Sequence, residues 1–356
     1  MTSAGREAYL NTRVSIMATR LLALEDRESL GRFDLAKLAE YLDLADLLDG
    51  QLDTRAKSRA VEQALINTLL AELRILERPM HPGERALLRA WGRKYALFNL
   101  KALLRGKLYE LDQSDIEDHL YDLPAEFGLA DRSLLRAENV LELLRTLESG
   151  PYAHIAHQAR QVYEQQRELS ALEASVDECY YARLARQVHE FQDANLRPLQ
   201  VLIGALLDRV NLLWLLRSRF VFGLSPSETF FRLVPSFRLM HRDRLIELVN
   251  LETVERVLDA LPEPLVGLLA ESNDLVEIQR RLGAYFGAEA RRVLHLSRSA
   301  VARALAYLML RESDLMTLFA LIQGRLLDLP DELIALGAEL SESKRLGPTR
   351  HLEAAA

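Results

Sequence analysis

Val201-Leu-Ile-Gly-Ala-Leu-Leu-Asp-Arg-Val-Asn-Leu-Leu-Trp-Leu-Leu-Arg-Ser-Arg-Phe220 is too long and too regular for a strand. It is apolar nearly all round, so it reads as a helix buried on most sides. Asp208, Asn211 and Arg217 interrupt it. Asp208 and Asn211 lie three apart and share a face, and leaving either buried without a partner costs about 1–3 kcal/mol. Something must therefore satisfy them. Directly afterwards, Gly223-Leu-Ser-Pro-Ser-Glu228 offers Ser225 as N-cap, Pro226 at the first helical position and Glu228 to close a capping box, which predicts a second helix at once.

Working outward, the same device recurs. Residues 96–107 align with 208–219 at an offset of 112, pairing Asn99 with Asn211, Arg105 with Arg217 and Lys107 with Arg219. A capping box at Ser114-Asp-Ile-Glu117 follows. Downstream, Ser313 to Arg325 matches at a further offset of 105, with Pro330-Asp331-Glu332 as the next helix start; Met316 and Gln323 stand where Asn211 and Arg217 do. A second landmark, Glu62-x-x-Leu65, Glu173-x-x-Val176 and Gln279-x-x-Leu282, repeats at offsets of 111 and 106. Two landmarks with nearly the same spacings predict a threefold internal repeat, with domains at 1–125, 126–238 and 239–341 and a polar tail at 342–356.

The rest of the chain is helical in pattern. Tyr9, Leu10, Val14, Met17, Leu21 and Leu22 mark an amphipathic first helix over 6–24, and Asp34 is placed to cap the next. A long helix is expected at roughly 55–77, and Glu84 to Lys107 forms the first motif helix. From Tyr152 to Arg197 the pattern stays helical for over 40 residues, which calls for a bend or a projection. Helices at about 274–286, 288–311 and 313–327 complete the third repeat. No alternating β-branched run and no hairpin turn signal occurs, so the fold class is all-α.

Bulk properties narrow the function. The chain has 356 residues, 49% hydrophobic and 27% charged, with a net charge of −7. Such a composition is globular, and the charge disfavours nucleic acid as partner. The longest apolar run, 199–207, falls short of the ~20 residues of a membrane span. The first residues lack the apolar core of a signal peptide and the single cysteine cannot form an internal disulfide, so the cytoplasm is the expected compartment.

Signs of reactive chemistry are sparse. No glycine-rich phosphate loop occurs. His154-x-x-His157 has metal-compatible spacing but no third ligand nearby in sequence, and reads as two solvent-facing histidines. Cys179 reads as a core thiol. No catalytic residue, cofactor site or metal site is assigned. The basic run Arg217, Arg219, Arg232, Arg238, Arg242 and Arg244 admits two readings: a solvated face with dipole compensation at a helix C-terminus, or a basic rim for an acidic partner. Its aromatic companions Phe220, Phe222, Phe230, Phe231 and Phe237 read as core.

Taken together, Asp208-x-x-Asn211-Leu-x-x-Leu-Leu-Arg217-x-Arg219, Tyr95-x-x-x-Asn99-Leu-Lys-x-x-Leu-Arg-Gly-Lys107 and Leu172-Glu173-x-x-x-Asp177-x-x-Tyr180-Tyr181 resemble the C-subunit family of A/V-type ATPases, whose eukaryotic vacuolar members are termed d. The resemblance covers about 1–340. It implies a funnel of three similar helical domains about a pseudo-threefold axis, without an active site. It further implies a place on the cytoplasmic face of the membrane proteolipid ring, one copy per complex, with the foot of the central stalk received in the cavity. On that basis Arg105, Lys107, Arg217, Arg219 and Arg325 are expected either to meet the stalk or to pin the domains to one another, and Asn99, Asp208 and Asn211 form the polar notch. A generic α-helical repeat adaptor is the competing reading.

Overall fold

The structure is a computed structural model that describes residues 2–49, 52–129, 132–191, 196–272 and 274–340. The tail expected at 342–356 lies outside the described residues. Among those described, the regular structure is entirely helical.

Three long helices, Thr54–Glu77, Leu169–His189 and Leu275–Leu296, carry the Glu62, Glu173 and Gln279 landmarks. Two of them start on aspartates, with Asp53 accepting from the Ala56 N–H and Asp274 from the Glu277 N–H. Satisfying an otherwise unpaired N-terminal donor in this way fixes where a helix begins. After each long helix the chain turns back into a motif helix. The first is Pro82–Gly92 followed by Lys94–Leu108, the second Leu196–Leu216, the third Ala300–Leu326.

Every motif helix ends alike. Glu110, Gly223 and Asp328 adopt left-handed backbone with φ of 55°, 67° and 50°. Just beyond, the N–H groups of Leu111, Leu224 and Leu329 donate to the carbonyls of Gly106, Ser218 and Gly324. This reversal satisfies helix-end carbonyls and launches the short helices Gln113–Glu117 and Pro226–Phe230 and the ten-residue Asp331–Leu340. Ser225 and Glu228 form the predicted capping box, with the Ser225 N–H donating to Glu228 at 2.9 Å. The box expected at Ser114 does not form. That helix begins two residues earlier, with Asp112 at the N-cap position.

The left-handed residues expose a register shift. Glu110 and Gly223 are 113 apart, whereas Asn99 and Asn211 are 112 apart; the second copy thus has one extra residue, taken up by a π turn at Arg217–Val221. Ahead of that turn the spacing from second to third copy is 106, so Asp314 and Thr317 correspond to Asp208 and Asn211. The pairing of Met316 with Asn211 is one residue out.

Other boundaries also differ. Within the expected run from Tyr152 to Arg197, residues 153–189 fold into a hairpin. Arg167, in left-handed backbone at φ 53°, separates Ala153–Gln166 from Leu169–His189, and these two helices pack together. The first motif helix pauses at Arg93. The three helices expected in 274–327 are two, Leu275–Leu296 and Ala300–Leu326.

Packing follows a rotation rule. The first motif helix packs on Leu169–His189, the second on Leu275–Leu296, and the third on Thr54–Glu77. The main core draws apolar side chains from all three copies, among them Trp91, Tyr95, Leu207 and Tyr307. A separate cluster joins Leu212, Leu213, Leu215 and Leu216 to residues between Leu233 and Leu282. The stretch Arg197–Val221 is long and apolar enough to cross a membrane by length and composition, yet 78% of its most apolar window is buried inside the protein, where it forms core.

Candidate functional site

The polar groups of the motif helices are buried, and each finds its partner in an adjoining segment. Asn99 clamps the backbone of Tyr121, accepting from its N–H and donating to its carbonyl, both at 2.8 Å. Asn211 does the same to Val234, at 3.0 and 2.7 Å. An amide side chain offers donor and acceptor side by side, so it pairs an extended backbone as a strand would. Thr317 offers a hydroxyl in place of the amide and donates to the Ala338 carbonyl at 3.4 Å.

Asp208 accepts from Ser236 Oγ at 2.5 Å and from the N–H groups of Leu239 and Met240 at 3.2 and 2.9 Å. Asp314 accepts from the Leu22 N–H at 2.9 Å and from Arg27 at 2.7 Å. Leu22 and Met240 occupy corresponding places, 218 residues apart. Burial pushes both carboxyls above the ordinary carboxylate range, and their hydrogen bonds and neighbouring arginines oppose the rise.

The five cations singled out by sequence all grip other parts of the chain. Arg105 holds Glu173 with two bonds, 2.5 and 2.9 Å, the bidentate geometry that suits a guanidinium to a carboxylate. Arg217 instead donates to the neutral amide of Gln279 at 2.7 Å, and burial lowers its pKa. Lys107 donates to the Leu135 carbonyl at 2.7 Å, Arg219 to Val249 at 2.9 Å, and Arg325 to Gly31 and Phe33 at 2.9 and 3.1 Å. Gly31 and Val249 are again 218 apart. The wider basic run does not gather into one rim: Arg238 bonds Tyr285 and Glu289, Arg244 bonds the Ala260 carbonyl, and Arg242 lies over the Phe230 ring.

Several residues not singled out as contacts from the sequence join this network, Tyr95, Lys101 and Asp177 among them although they stand in the quoted motifs. Lys101 pairs with Asp177 at 2.5 Å, one helical turn from the Arg105 and Glu173 pair, so residues four apart on one helix meet residues four apart on the next. Lys94 and Tyr95 both bond Glu312. Glu72 is buried among Tyr307, Arg20 and Arg311. The signal was available for Lys101 and Asp177, charges at four-residue spacing beside the marked pair; Glu72 and Tyr307 are too far apart in sequence to suggest each other.

Where the three motif helices converge lies a pocket of about 100 Å³. Lys94, Leu206 and Glu312, its walls from the three copies, are spaced by 112 and 106. Cys179 is buried, and burial pushes its thiol up to about 12. His154 and His157 are exposed, as expected. Among the described residues no group of three or more His, Cys, Asp or Glu side chains is placed to hold a metal.

A family model described as ATP synthase (C/AC39) subunit matches residues 10–335. The chain belongs to that family. Its similarity to the C subunit of the A-type ATP synthase of Methanosarcina mazei is 23% identity, covering 92% of this chain and 91% of that one. The counterpart from Methanothermobacter thermautotrophicus is 26% identical over 71% of this chain and 65% of its own. That of Methanosphaera stadtmanae is 29% identical over 45% of this chain, and the match spans 41% of that protein. Membership of the family agrees with the resemblance carried by the motifs around Asn99, Glu173 and Asn211.

Proposed function

We propose that this protein is a non-catalytic coupling subunit of a rotary A/V-type ATPase, joining the central stalk to the membrane proteolipid ring so that the two turn together. Three helical domains, 1–125, 126–238 and 239–341, are arranged as a funnel about a pseudo-threefold axis. One copy sits on the inner face of the membrane, held through the ring. The observation that carries this reading is the rotating set of straps: Lys107 to Leu135, Arg219 to Val249, and Arg325 to Gly31. The first binds copy one to copy two, the second binds two to three, and the third returns to one.

Such closure suits torque transmission. A load applied at the axis passes through three close-packed interfaces, and densely packed interiors deform little. Interface polar groups fixed by buried hydrogen bonds resist sliding of one helix past another. Arg105, Lys107, Arg217, Arg219 and Arg325 act here as pins between domains, while the stalk is met by the axial pocket that the three motif helices enclose.

Two measurements test the proposal. Purified chain should bind a detergent-solubilised proteolipid ring together with the central stalk; binding to neither refutes the coupling role. Charge reversal at Arg217 and Arg219 separates pin from socket. A lowered melting temperature supports pins, whereas lost stalk binding with unchanged melting shows that these arginines meet the stalk directly.

A further inference from the structure

We infer that the axial pocket and the arginine notch beside it form a receptor for an acidic amphipathic protein segment, in which an apolar side chain enters the pocket while flanking carboxylates settle on Arg93, Arg183 and Arg186. The inference rests on the coupling role above and names the chemistry of the partner's end.

The pocket floor is apolar and aromatic: Trp91, Phe98, Phe286, Met309 and Met316 line it. An unbranched thioether and a flat ring adapt to a partner's side chain better than a fixed aliphatic wall does. Beside it, sharing Leu97 and Tyr180 with it, is a small notch of about 20 Å³ lined by Arg93, Arg183 and Tyr152.

Arg93 and Arg183 line the notch, and Arg186 is exposed just outside it, about one turn along the same helix as Arg183. Arg183 donates to the Pro151 carbonyl at 3.4 Å, a neutral acceptor. Burial lowers its pKa first, and the positive fields of Arg93 and Arg186 lower it further, with Tyr152 and Glu190 opposing them. The field of Arg93 also reaches the buried Tyr152 phenol. Inside the pocket Lys94 and Lys101 are balanced by Glu312 and Asp177, and the Arg209 guanidinium lies over the Phe286 ring. A chain of net charge −7 thus gathers Arg93, Arg183 and Arg186 beside the pocket where its three motif helices meet.

Complementary charge around an apolar anchor is how protein interfaces gain specificity and rapid association. The chain's own residues 342–356 carry Lys344, Arg345 and Arg350 against Glu342 and Glu353, a net charge of the same sign as the notch, and so are the poorer occupant. A partner segment alternating carboxylates with large apolar side chains fits both halves of the receptor.

The test uses full-length chain and a fluorescent peptide alternating glutamate with leucine, followed by anisotropy at low salt and at roughly physiological ionic strength and above, where exposed charge pairs are screened. Polyglutamate of equal charge and vesicles of phosphatidylglycerol serve as comparison ligands. The mixed peptide should bind more tightly than polyglutamate, lose affinity with salt, and lose about tenfold or more in R183E/R186E. Variant R292E, altered at the position that corresponds to Arg186 in the third copy, should bind like the parent. If R183E/R186E melts lower than the parent, R183Q/R186Q takes its place. Equal binding by parent and variant overturns the inference, as does binding to vesicles without binding to the peptide. In assembled complexes, a variant that still joins ring and stalk with parental affinity sinks this inference but leaves the coupling role standing, whereas a parent chain that joins neither sinks that role.

Discussion

The junction between the first motif helix and Leu169–His189 is held by charge, whereas the corresponding junction between Leu196–Leu216 and Leu275–Leu296 is held by a neutral amide. In the first, Arg105 and Lys101 face Glu173 and Asp177. In the second, Arg217 faces Gln279, and the places of Lys101 and Asp177 are taken by Leu213 and Gly283. The helices and spacing are alike, but the adhesive differs. A buried ion pair holds orientation strongly once formed, yet desolvating both charges offsets much of its attraction. A charge on a neutral acceptor gives a weaker, more forgiving joint. The second junction recovers hold elsewhere, through Arg238, which lies against Asp208 and bonds Glu289.

The sharpest way to break this contrast is to remove one member of the charged pair. Arg105→Ala leaves Glu173 buried without its cation and should destabilise the chain by about 3–5 kcal/mol in urea unfolding, while Arg217→Ala should lose about 1–2 kcal/mol. Equal losses would erase the difference between the junctions. Asn211→Ala strips donor and acceptor partners from the buried Val234 backbone and should remove about 2–4 kcal/mol, against about 1 kcal/mol for Thr317→Val, whose hydroxyl bond to Ala338 is long.

Exchange of the two adhesives is a finer test. Glu173→Gln should cost about 1–2 kcal/mol, and Gln279→Glu should stabilise by about 1 kcal/mol by giving Arg217 a counter-charge, both read as urea midpoints.

The smallest effect is in pH, where the two junctions should agree. Asp177 and Asp208 are both raised by burial above their unfolded values. A folded pKa above the unfolded one means that the folded state holds the proton more tightly. Stability from these groups is therefore fully present below the unfolded pKa of about 4 and falls as pH rises through the folded value. The melting temperature of wild type relative to D177N or D208N should drop over that window; a rise would show that hydrogen bonds to the ionised form dominate.

How much of this could be read from sequence depends on the distance between partners. Asp208 and Asn211, three apart on an apolar helix, announce that they need partners. Their partners lie 23 to 32 residues on, in chain with no helical period, and no local rule identifies Val234 or Met240. The Ser225 box was readable because all of its chemistry sits within four residues. Register in the third copy was hidden since a leucine-rich helix aligns almost equally well one residue either way; only the left-handed turns at Gly223 and Asp328 reveal the insertion. Arg167 gave no warning of a hairpin, because arginine carries no preference for left-handed backbone as glycine or asparagine does. The five cations were visible as a pattern, but their acceptors are mainly backbone carbonyls, which leave no trace in the residue letters.

The split between the two apolar clusters has a consequence for how the molecule fails. Residues 239–282 share few buried neighbours with the main core and lean instead on the end of one helix, Leu212 to Leu216. Amide exchange in that stretch should proceed through a local opening while the remainder stays protected. Each such opening bares Leu212, Leu213, Leu215 and Leu216 at once, which makes this stretch the first foothold for a chaperone, a protease or a neighbouring misfolded chain.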